Sequence, residues 1–449
     1  MYAQLYRKCL FPLYVRGVQR RRTLRYLAEL DSSQWLSKNE IQQLQIERLR
    51  SLIQSASQEC AYYGTEWKKH GLSCADIETL ADLQNWPVLR REDVKQNLSR
   101  LCAMTKRRKT VSSTGGSTGE PMPFVFDDEA AQRRAAATYR GYGWAGVEPG
   151  AKRLELWGTD LASPPLIRRM KKTLVNAVKR NHTLSCFNLT PDRMRSYANM
   201  LNRYQPHVLV AYSQALFEFS RYLEAEHITP FSPATIVVGA EPIYDFQRAL
   251  IERVFRTPVF ETYGCRELLL IAAECERREG LHLSSEHLIV EILDDQGHPA
   301  ADGEEGEVVI TDLTNRAMPL IRYANGDRAL AGFQQCSCGR GLPLLRKLRG
   351  RTVDTITTPD GRRINGVFFP HLIKDFPIIR QFQVIQLASD SLTLNFVADD
   401  ELPSKEQQAL LGKIQHMMGP AMRVETKRVP EITRTSSGKL RPVVSLAGR

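Results

Sequence analysis

Ser112-Ser113-Thr114-Gly115-Gly116-Ser117-Thr118-Gly119-Glu120-Pro121 places five hydroxyl side chains and three glycines in ten consecutive residues. Glycines let a backbone approach a ligand closely, and the free N–H groups of such a turn can surround a phosphate. The stretch has no lysine, so it is not a Walker loop. Gly115-Gly116-Ser117-Thr118-Gly119 also fits the G-x-S-x-G elbow of serine hydrolases, and a plain Ser/Gly surface turn is a third reading. Two further groups could do chemistry. Glu261, Glu267 and Asp327 are acids close to short glycine-containing segments, and Lys439 follows Ser437-Gly438 near the end. Cys275 and His282 are seven apart, and Cys336-Ser337-Cys338 forms a tight pair before Gly339. Two such pairs can supply the four ligands of a structural zinc. His287 is the alternative histidine, and two ordinary loop thiols with a surface histidine are the plainer reading.

The patterning predicts the elements that must position these groups. Ser37 and Glu40 form a capping box ahead of an amphipathic helix that gives way near Tyr62-Tyr63-Gly64. Asp127 caps an alanine-rich helix ending near Tyr139, and Thr190-Pro191 opens another. Gly141-Tyr142-Gly143-Trp144-Ala145-Gly146 matches a dinucleotide fingerprint by letter, but it follows a helix and opens none, so it reads as a loop before a strand at Leu154 to Trp157. Buried strands at His207 to Tyr212, Ile236 to Ala240 and Val259 to Gly264 alternate with helices, which implies an α/β fold with a mainly parallel sheet covered by helices. Ligands on such sheets sit at the carboxyl ends of the strands, here Tyr212-Ser213, Gly239-Ala240-Glu241 and Tyr263-Gly264. After about Leu283 antiparallel strands follow. A basic break at Arg346 to Arg351 precedes a small α+β region, giving a large domain 1–350 and a small domain 351–449.

Taken in order, Ser112 to Pro121, Gly239-Ala240-Glu241, Glu261 to Glu267, Arg322 to Asp327, Gly350-Arg351 and Ser437-Gly438-Lys439 resemble the motifs of the adenylate-forming superfamily. Within it the chain is most similar to the phenylacetate–CoA ligase family, especially its capsular-polysaccharide branch. The resemblance runs from about residue 40 to the end. It implies that Ser113, Thr114, Gly115, Gly116, Ser117, Thr118 and Gly119 hold the ATP phosphates, and that Gly239, Ala240 and Glu241 line the adenine. Glu261, Tyr263 and Gly264 would lie by the nucleotide, Glu267 would bind Mg²⁺, and Asp327 would bond the ribose with Arg351 close by. Lys439 would bridge the substrate carboxylate and the α-phosphate. The small domain would rotate near residues 351–354, although Val353 stands where the family usually has Asp or Lys. The implied activity is AMP-forming ligation: a carboxylic acid and ATP give an acyl-adenylate and pyrophosphate, then the acyl group passes to CoA. An amine, a hydroxyl or a carrier protein is the alternative acceptor. Some relatives also share the Cys/His pattern. Tyr142, Trp144, Trp157 and Tyr212 could line an acyl pocket, although aromatics at strand ends are commonly core.

With 449 residues, 42% of them hydrophobic, the chain has ample core, and no apolar run is long enough to span a membrane. Nine scattered cysteines and no evident signal peptide suggest the reducing cytoplasm. The +12 net charge attracts anions without choosing among them. A nonenzymatic nucleic-acid or membrane binder is therefore a rival, as is a serine hydrolase built on Ser117; the motif order argues against nucleic acid as the partner. Seven Arg and Lys residues between Arg7 and Arg25 precede the first acid, Glu29. That segment reads as a helix packed on its own domain or as a peripheral membrane contact.

Overall fold

A computed structural model gives the fold and describes residues 5–18, 21–105, 107–114, 122–158, 170, 175–186, 189–240, 242–350, 355–366, 368–373, 375–376, 378–379, 381–432 and 443–445. Short helical turns at the start bury Tyr6, Phe11 and Val15 beside Tyr139 and leave Leu5, Leu10 and Leu13 exposed. The basic segment therefore docks on its own chain through one face. Ser37 caps the helix Lys38–Glu59 reciprocally: Glu40 N donates to its hydroxyl at 3.3 Å, and Ser37 N donates to the Glu40 carboxylate at 2.8 Å. The helix gives way at Cys60, just before Tyr62-Tyr63-Gly64, and those residues belong to a further helix, Ala61–Lys69. Tyr63 stacks on Trp67, four residues on, at 4.5 Å, the helical neighbour spacing that supports such a turn.

Lys109–Ser113 (β1) and Pro123–Asp127 (β2) form an antiparallel pair with Ser113 opposite Pro123. Asp127 accepts from Ala130 N at 2.8 Å and so caps the helix Asp128–Trp144. That helix continues past Tyr139 through Gly141, where a Cβ would lie 2.4 Å from Leu270 Cδ2. The glycine serves close packing of helix on sheet, and the loop expected at 141–146 begins only after Trp144.

Arg153–Trp157 (β3), Asn181–Ser185 (β4), Val208–Tyr212 (β5), Thr235–Gly239 (β6) and Val259–Cys265 (β7) lie parallel in the order β4-β3-β5-β6-β7. All residues of β5 and β6 are buried, as strands covered on both faces must be. The helices Pro191–Tyr204, Ser213–Ala225 and Asp245–Phe255 intervene between successive strands, supplying the long crossovers that parallel pairing needs. After β7 the direction reverses. Leu269–Glu274 (β8) follows a link of only three residues, too short for a crossover, so β8 can only pair antiparallel with β7. Leu281–Leu283 (β9) continues in the same sense. The α/β class thus holds, but the large sheet is mixed: half its strand pairings are antiparallel.

Leu288–Leu293 (β10), Glu305–Asp312 (β11) and Tyr323–Leu330 (β12) make a second, antiparallel sheet. Phe333–Gln334 (β13) and Leu344–Leu345 (β14) return to the far edge of the large sheet, while Leu348–Gly350 (β15) joins the second one. Thr355–Thr357 (β16) and Arg363–Asn365 (β17) form a hairpin. Gln381–Ala388 (β18), Ser391–Val397 (β19), Arg423–Arg428 (β20) and Val443–Ser445 (β21) form a smaller mixed sheet in the order β20-β19-β18-β21, with the helix Ser404–Met418 between β19 and β20.

The start of β12 is fixed by a buried cation. Arg322 is 2% exposed. Its Nε and Nη2 donate to the two Glu291 oxygens at 3.1 and 2.9 Å, and its Nη1 donates to the carbonyls of Gln84 and Trp86. Leu89 N donates to Arg322 O at 2.9 Å. One side chain therefore ties the second sheet to the segment that follows the N-terminal helices. Burial pushes the Glu291 carboxyl up and Arg322 draws it back. Breaking one partner of such a pair leaves the other charge buried and uncompensated. Arg322→Met is expected to lose about 3–5 kcal/mol of stability in urea denaturation, the scale for a broken buried pair; a loss below about 1 kcal/mol, the scale of an exposed pair, would contradict that role.

Candidate active site and metal centre

The carboxyl ends of β6 and β7 converge with one strand from the second sheet. β6 ends at Gly239, and Ala240 follows in the left-handed region at φ 69°. β7 carries Glu261, Tyr263 and Gly264, and a Cβ on Gly264 would lie 2.0 Å from Leu269 O, so only glycine fits where β8 folds back. β12 brings Tyr323, Asn325 and Asp327 across.

The join is a compact hydrogen-bonded group. Tyr263 Oη donates to Asp327 Oδ2 at 2.8 Å. Asn325 Nδ2 donates to Tyr263 Oη at 2.7 Å and to the same Asp327 oxygen at 2.8 Å, and Asp327 N donates to Asn325 Oδ1 at 3.0 Å. Burial first, and then the Asp327 charge, hold the Tyr263 phenol well above its ordinary pKa, so it stays a donor. Glu267, 2% exposed, accepts from Tyr323 Oη at 3.2 Å. Asn325 had no role in the sequence reading. An asparagine two residues before the acid in a strand, on the same face, was the available signal.

Glu261 pins the segment that follows Ala240. Its Oε1 accepts from Ile243 N at 3.2 Å, while Glu261 N donates to Glu274 Oε2 at 2.7 Å. Arg248 forks onto Glu274 at 2.8 and 3.0 Å and stands 3.9 Å from Glu261. Burial first, then the Glu274 charge, raise the Glu261 carboxyl to about 7.

Among the hydroxyl residues assigned to phosphate, Ser113 ends β1 with its carbonyl accepting from Arg266 Nη1 at 3.1 Å. Thr114 is buried, and its hydroxyl accepts from Arg91 Nη2 at 2.5 Å and from Met122 N at 2.9 Å. Thr114 N also donates to Met122 O at 2.9 Å. Thr114 thus closes the neck of the Ser/Gly loop, and nothing in the spacing pointed to Arg91. Gly115, Gly116, Ser117, Thr118 and Gly119 lie outside the described residues, as do Glu241, Arg351, Val353 and Lys439. The loop's described flanks are two antiparallel strands, so a strand follows it where the serine-hydrolase elbow needs a helix.

The aromatics expected to line an acyl pocket divide. Trp157 and Tyr212 meet edge to face at 4.4 Å at the ends of β3 and β5, and Tyr142 lies under the Arg153 guanidinium at 5.3 Å. Trp144 turns elsewhere: it packs on His282 at 5.3 Å and donates from Nε1 to Gln34 Oε1 at 2.7 Å.

Cys275, His282, Cys336 and Cys338 come together from β8, β9 and the turn after β13, with their ligand atoms within 4.8 Å of one another. Cys275 Sγ lies 3.6 Å from Cys336 Sγ, and Cys338 Sγ 3.3 Å from His282 Nε2. His282 Nδ1 faces Leu342 O at 3.0 Å. A proton on Nδ1 would leave the Nε2 lone pair toward the sulfurs. Burial lowers the His282 pKa and so favours the neutral ring that binds metal. Arg277 N and Arg340 N donate to the sulfurs of Cys275 and Cys338 at 3.4 and 3.5 Å. His287 is not part of this group. None of the nine cysteines forms a disulfide.

Residues 356–445 match the family described as the CapK C-terminal domain. The phenylacetate-coenzyme A ligase of Thermus thermophilus is 22% identical over 94% of this chain and 99% of its own length. Protein CapK of Staphylococcus aureus is 26% identical over 64% of this chain and 63% of its own. Among solved structures, 2-hydroxyisobutyryl-CoA ligase in complex with 2-HIB-AMP and CoA superposes with a TM-score of 0.63 at 18% identity, covering 91% of this chain and 90% of that one. This last likeness speaks to the fold.

Glu261 yields a pH test. Its native pKa of about 7 exceeds the ordinary 4.5, so the folded state holds a proton that the unfolded state has lost between those values. Its contribution is therefore greatest at low pH and is lost as pH rises through that window, by up to about 3 kcal/mol. Urea unfolding of Glu261→Gln is expected to show a flatter slope from pH 4.5 to 7 and greater stability than wild type at pH 8; parallel profiles for the two proteins would contradict this.

Proposed function

Because the chain belongs to the adenylate-forming superfamily, in the branch that holds the phenylacetate–CoA ligases and CapK, we propose that it is an AMP-forming carboxylate ligase that makes an acyl-adenylate and passes the acyl group to CoA. The observation that supports this most is the Tyr263–Asn325–Asp327 group, which unites two separated motifs where the large sheet ends. In this reading Asp327 accepts from the ribose hydroxyls, and Gly239, Ala240 and Glu241 border the adenine. Glu261 keeps the segment after Ala240 in place by holding Ile243 N. Gly115 to Gly119, with Ser113 and Thr114 at their neck, receive the phosphates. Glu267 is the Mg²⁺ ligand, and the ion's part is to screen phosphate charge.

A carboxylate and ATP repel one another, so a cation must meet the charge that gathers at the α-phosphate. Lys439 is assigned that role. Residues 1–350 form the large domain and 351–449 the small one, which carries Lys439 away by rotation near Arg351 and Val353 to admit the acceptor. The match of residues 356–445 to the CapK C-terminal domain favours a second reading of the acceptor, a sugar amine or hydroxyl in place of CoA. The four-ligand Cys/His group fits a structural zinc, since it leaves no position for substrate. ATP as substrate and nine cysteines outside any disulfide suit a cytoplasmic location.

Pyrophosphate exchange across a panel of carboxylic acids, followed by a panel of acceptors, tests the activity. Lys439→Ala is expected to slow acid-dependent exchange roughly a hundred- to a thousandfold while sparing transfer from a supplied acyl-adenylate. Equal loss of both half-reactions would reject the role given to Lys439, and a lack of exchange with any acid would reject the ligase. Metal analysis of purified protein should find about one zinc per chain. Cys338→Ser should lose it and melt at lower temperature before nucleotide affinity changes. Metal-free wild-type protein with unaltered stability would eliminate the site.

A further inference from the structure

A cavity of about 510 Å³ opens at the end of the β1–β2 hairpin away from the Ser/Gly loop, lined by Arg48, Arg107, Arg133, Arg316, Glu59 and Glu129 with serine and glutamine side chains of the helix Lys38–Glu59. Five-residue strands at about 3.3 Å per residue separate the two ends by roughly 15 Å. Arg107 precedes β1 and Glu129 follows β2, whereas the loop joins Ser113 to Pro123.

Two of the four guanidinium groups here have no carboxylate at ion-pair distance among the described residues. Arg133 has Glu129 at 2.9 Å and Glu29 at 3.7 Å. Arg107 has carboxylates only at 3.8 Å, on Asp127 and Glu129. The Arg316 guanidinium donates to neutral oxygens, those of Ser51 and Ser55, and Arg48 to the Glu286 carbonyl. Neither has a carboxylate at ion-pair distance from its guanidinium among the described residues. Burial first, and then a neighbouring arginine, lower both: Arg133 acts on Arg48, and Arg107 on Arg316. Four carboxylates, on Glu29, Glu59, Asp127 and Glu129, surround the four guanidinium groups, but none reaches ion-pair distance of Arg48 or Arg316, so an anion in the cavity would meet two guanidinium groups that have only neutral acceptors.

The lining also says what the counter-ion carries. Leu313 is the one apolar side chain among the lining residues, so this is not a site for an acyl chain. Arginine forks match phosphate oxygens. The glutamine amides suit hydroxyl groups, as do Glu59, which accepts, and Ser51, which accepts from Arg316 at 3.0 Å and donates to no described residue. The volume lies in the range of small-ligand sites and well beyond a single ion. We propose that this cavity binds a phosphorylated, polyhydroxylated small molecule, with Arg48, Arg316 and the neighbouring Arg107 on the phosphoryl group and the glutamates and amides on the hydroxyls. The assignment does not depend on the ligase reading.

Isothermal titration of the full chain with glucose 6-phosphate as probe, in saturating adenosine 5′-(α,β-methylene)triphosphate to fill the nucleotide site, tests it. Glucose and glucuronate are run in parallel. One glucose 6-phosphate should bind per chain, with glucose and glucuronate at least tenfold weaker, the scale of losing a charge-assisted contact. Arg107 is half exposed, so Arg107→Gln should melt like wild type and weaken the phosphate ester roughly ten- to a hundredfold. Arg48→Gln should do the same. The proposal is overturned if no heat appears up to roughly 10 mM, ten times a millimolar Kd. It is equally overturned if glucuronate binds as tightly, if Arg107→Gln retains wild-type affinity, or if the nucleotide analogue alone abolishes binding.

Discussion

The phenolic proton of Tyr263 is held in place from two sides. Burial opposes a phenolate, and the Asp327 carboxylate opposes it again. The phenol is thereby kept as a donor to Asp327 Oδ2, and Asn325 completes the triangle. Tyr263 belongs to the large sheet and Asp327 to the second one, so this bond registers one sheet against the other. Charge-assisted bonds of this kind weaken steeply with misalignment. The strand end of β7, the Glu267 turn and the second sheet must therefore sit where this group puts them.

Two other devices keep that register. Arg322, five residues before Asp327, anchors the start of β12 to β10 and to the carbonyls of Gln84 and Trp86. The Cys/His group sits on the other flank, where β8, β9 and the turn after β13 meet. β13 and β14 are only two residues each, too short to hold an edge by ladder bonds alone. A metal at that group would fasten the antiparallel half of the sheet at its weakest margin, and Trp144 would carry the restraint into the helix packed above.

Long periodic elements were legible in the sequence because their cause is local. The Ser37 and Asp127 caps, the Thr190-Pro191 start and the buried strands β5 and β6 stand close to where composition put them. The reversal at β8 was not legible, because the length of the β7–β8 link decides it and periodicity does not register link length. Gly141 misled for a similar reason: a glycine that serves close packing on Leu270 looks the same in one dimension as a glycine that ends a helix. Within the site the acids and Tyr263 could be read from motif order. Arg91, Arg248 and Glu274 could not, since each acts through a partner at least thirteen residues away.

The proposed reaction puts a polyanion into a region that already holds three carboxyl groups, and each is treated differently. Asp327 Oδ2 accepts from Tyr263 Oη and Asn325 Nδ2, and the Asp327 N–H holds Asn325 in turn, so its charge is spread over bonds that stay when the ligand arrives. Glu261 faces Glu274 with one guanidinium between them, and its carboxyl lies near 7. A nearby anion disfavours the ionised form further, so nucleotide binding and proton uptake at Glu261 would reinforce each other. Glu267 accepts from the Tyr323 hydroxyl, a neutral donor, which leaves its charge to be met by a cation. In the proposed reaction the three acids would be neutralised by different means, Asp327 by fixed dipoles, Glu261 by a proton and Glu267 by a metal ion. On that reading the division would let a site built from carboxylates accept phosphate without a lysine in its glycine loop, and it would make the cation assigned to Lys439 a requirement of the chemical step more than of binding.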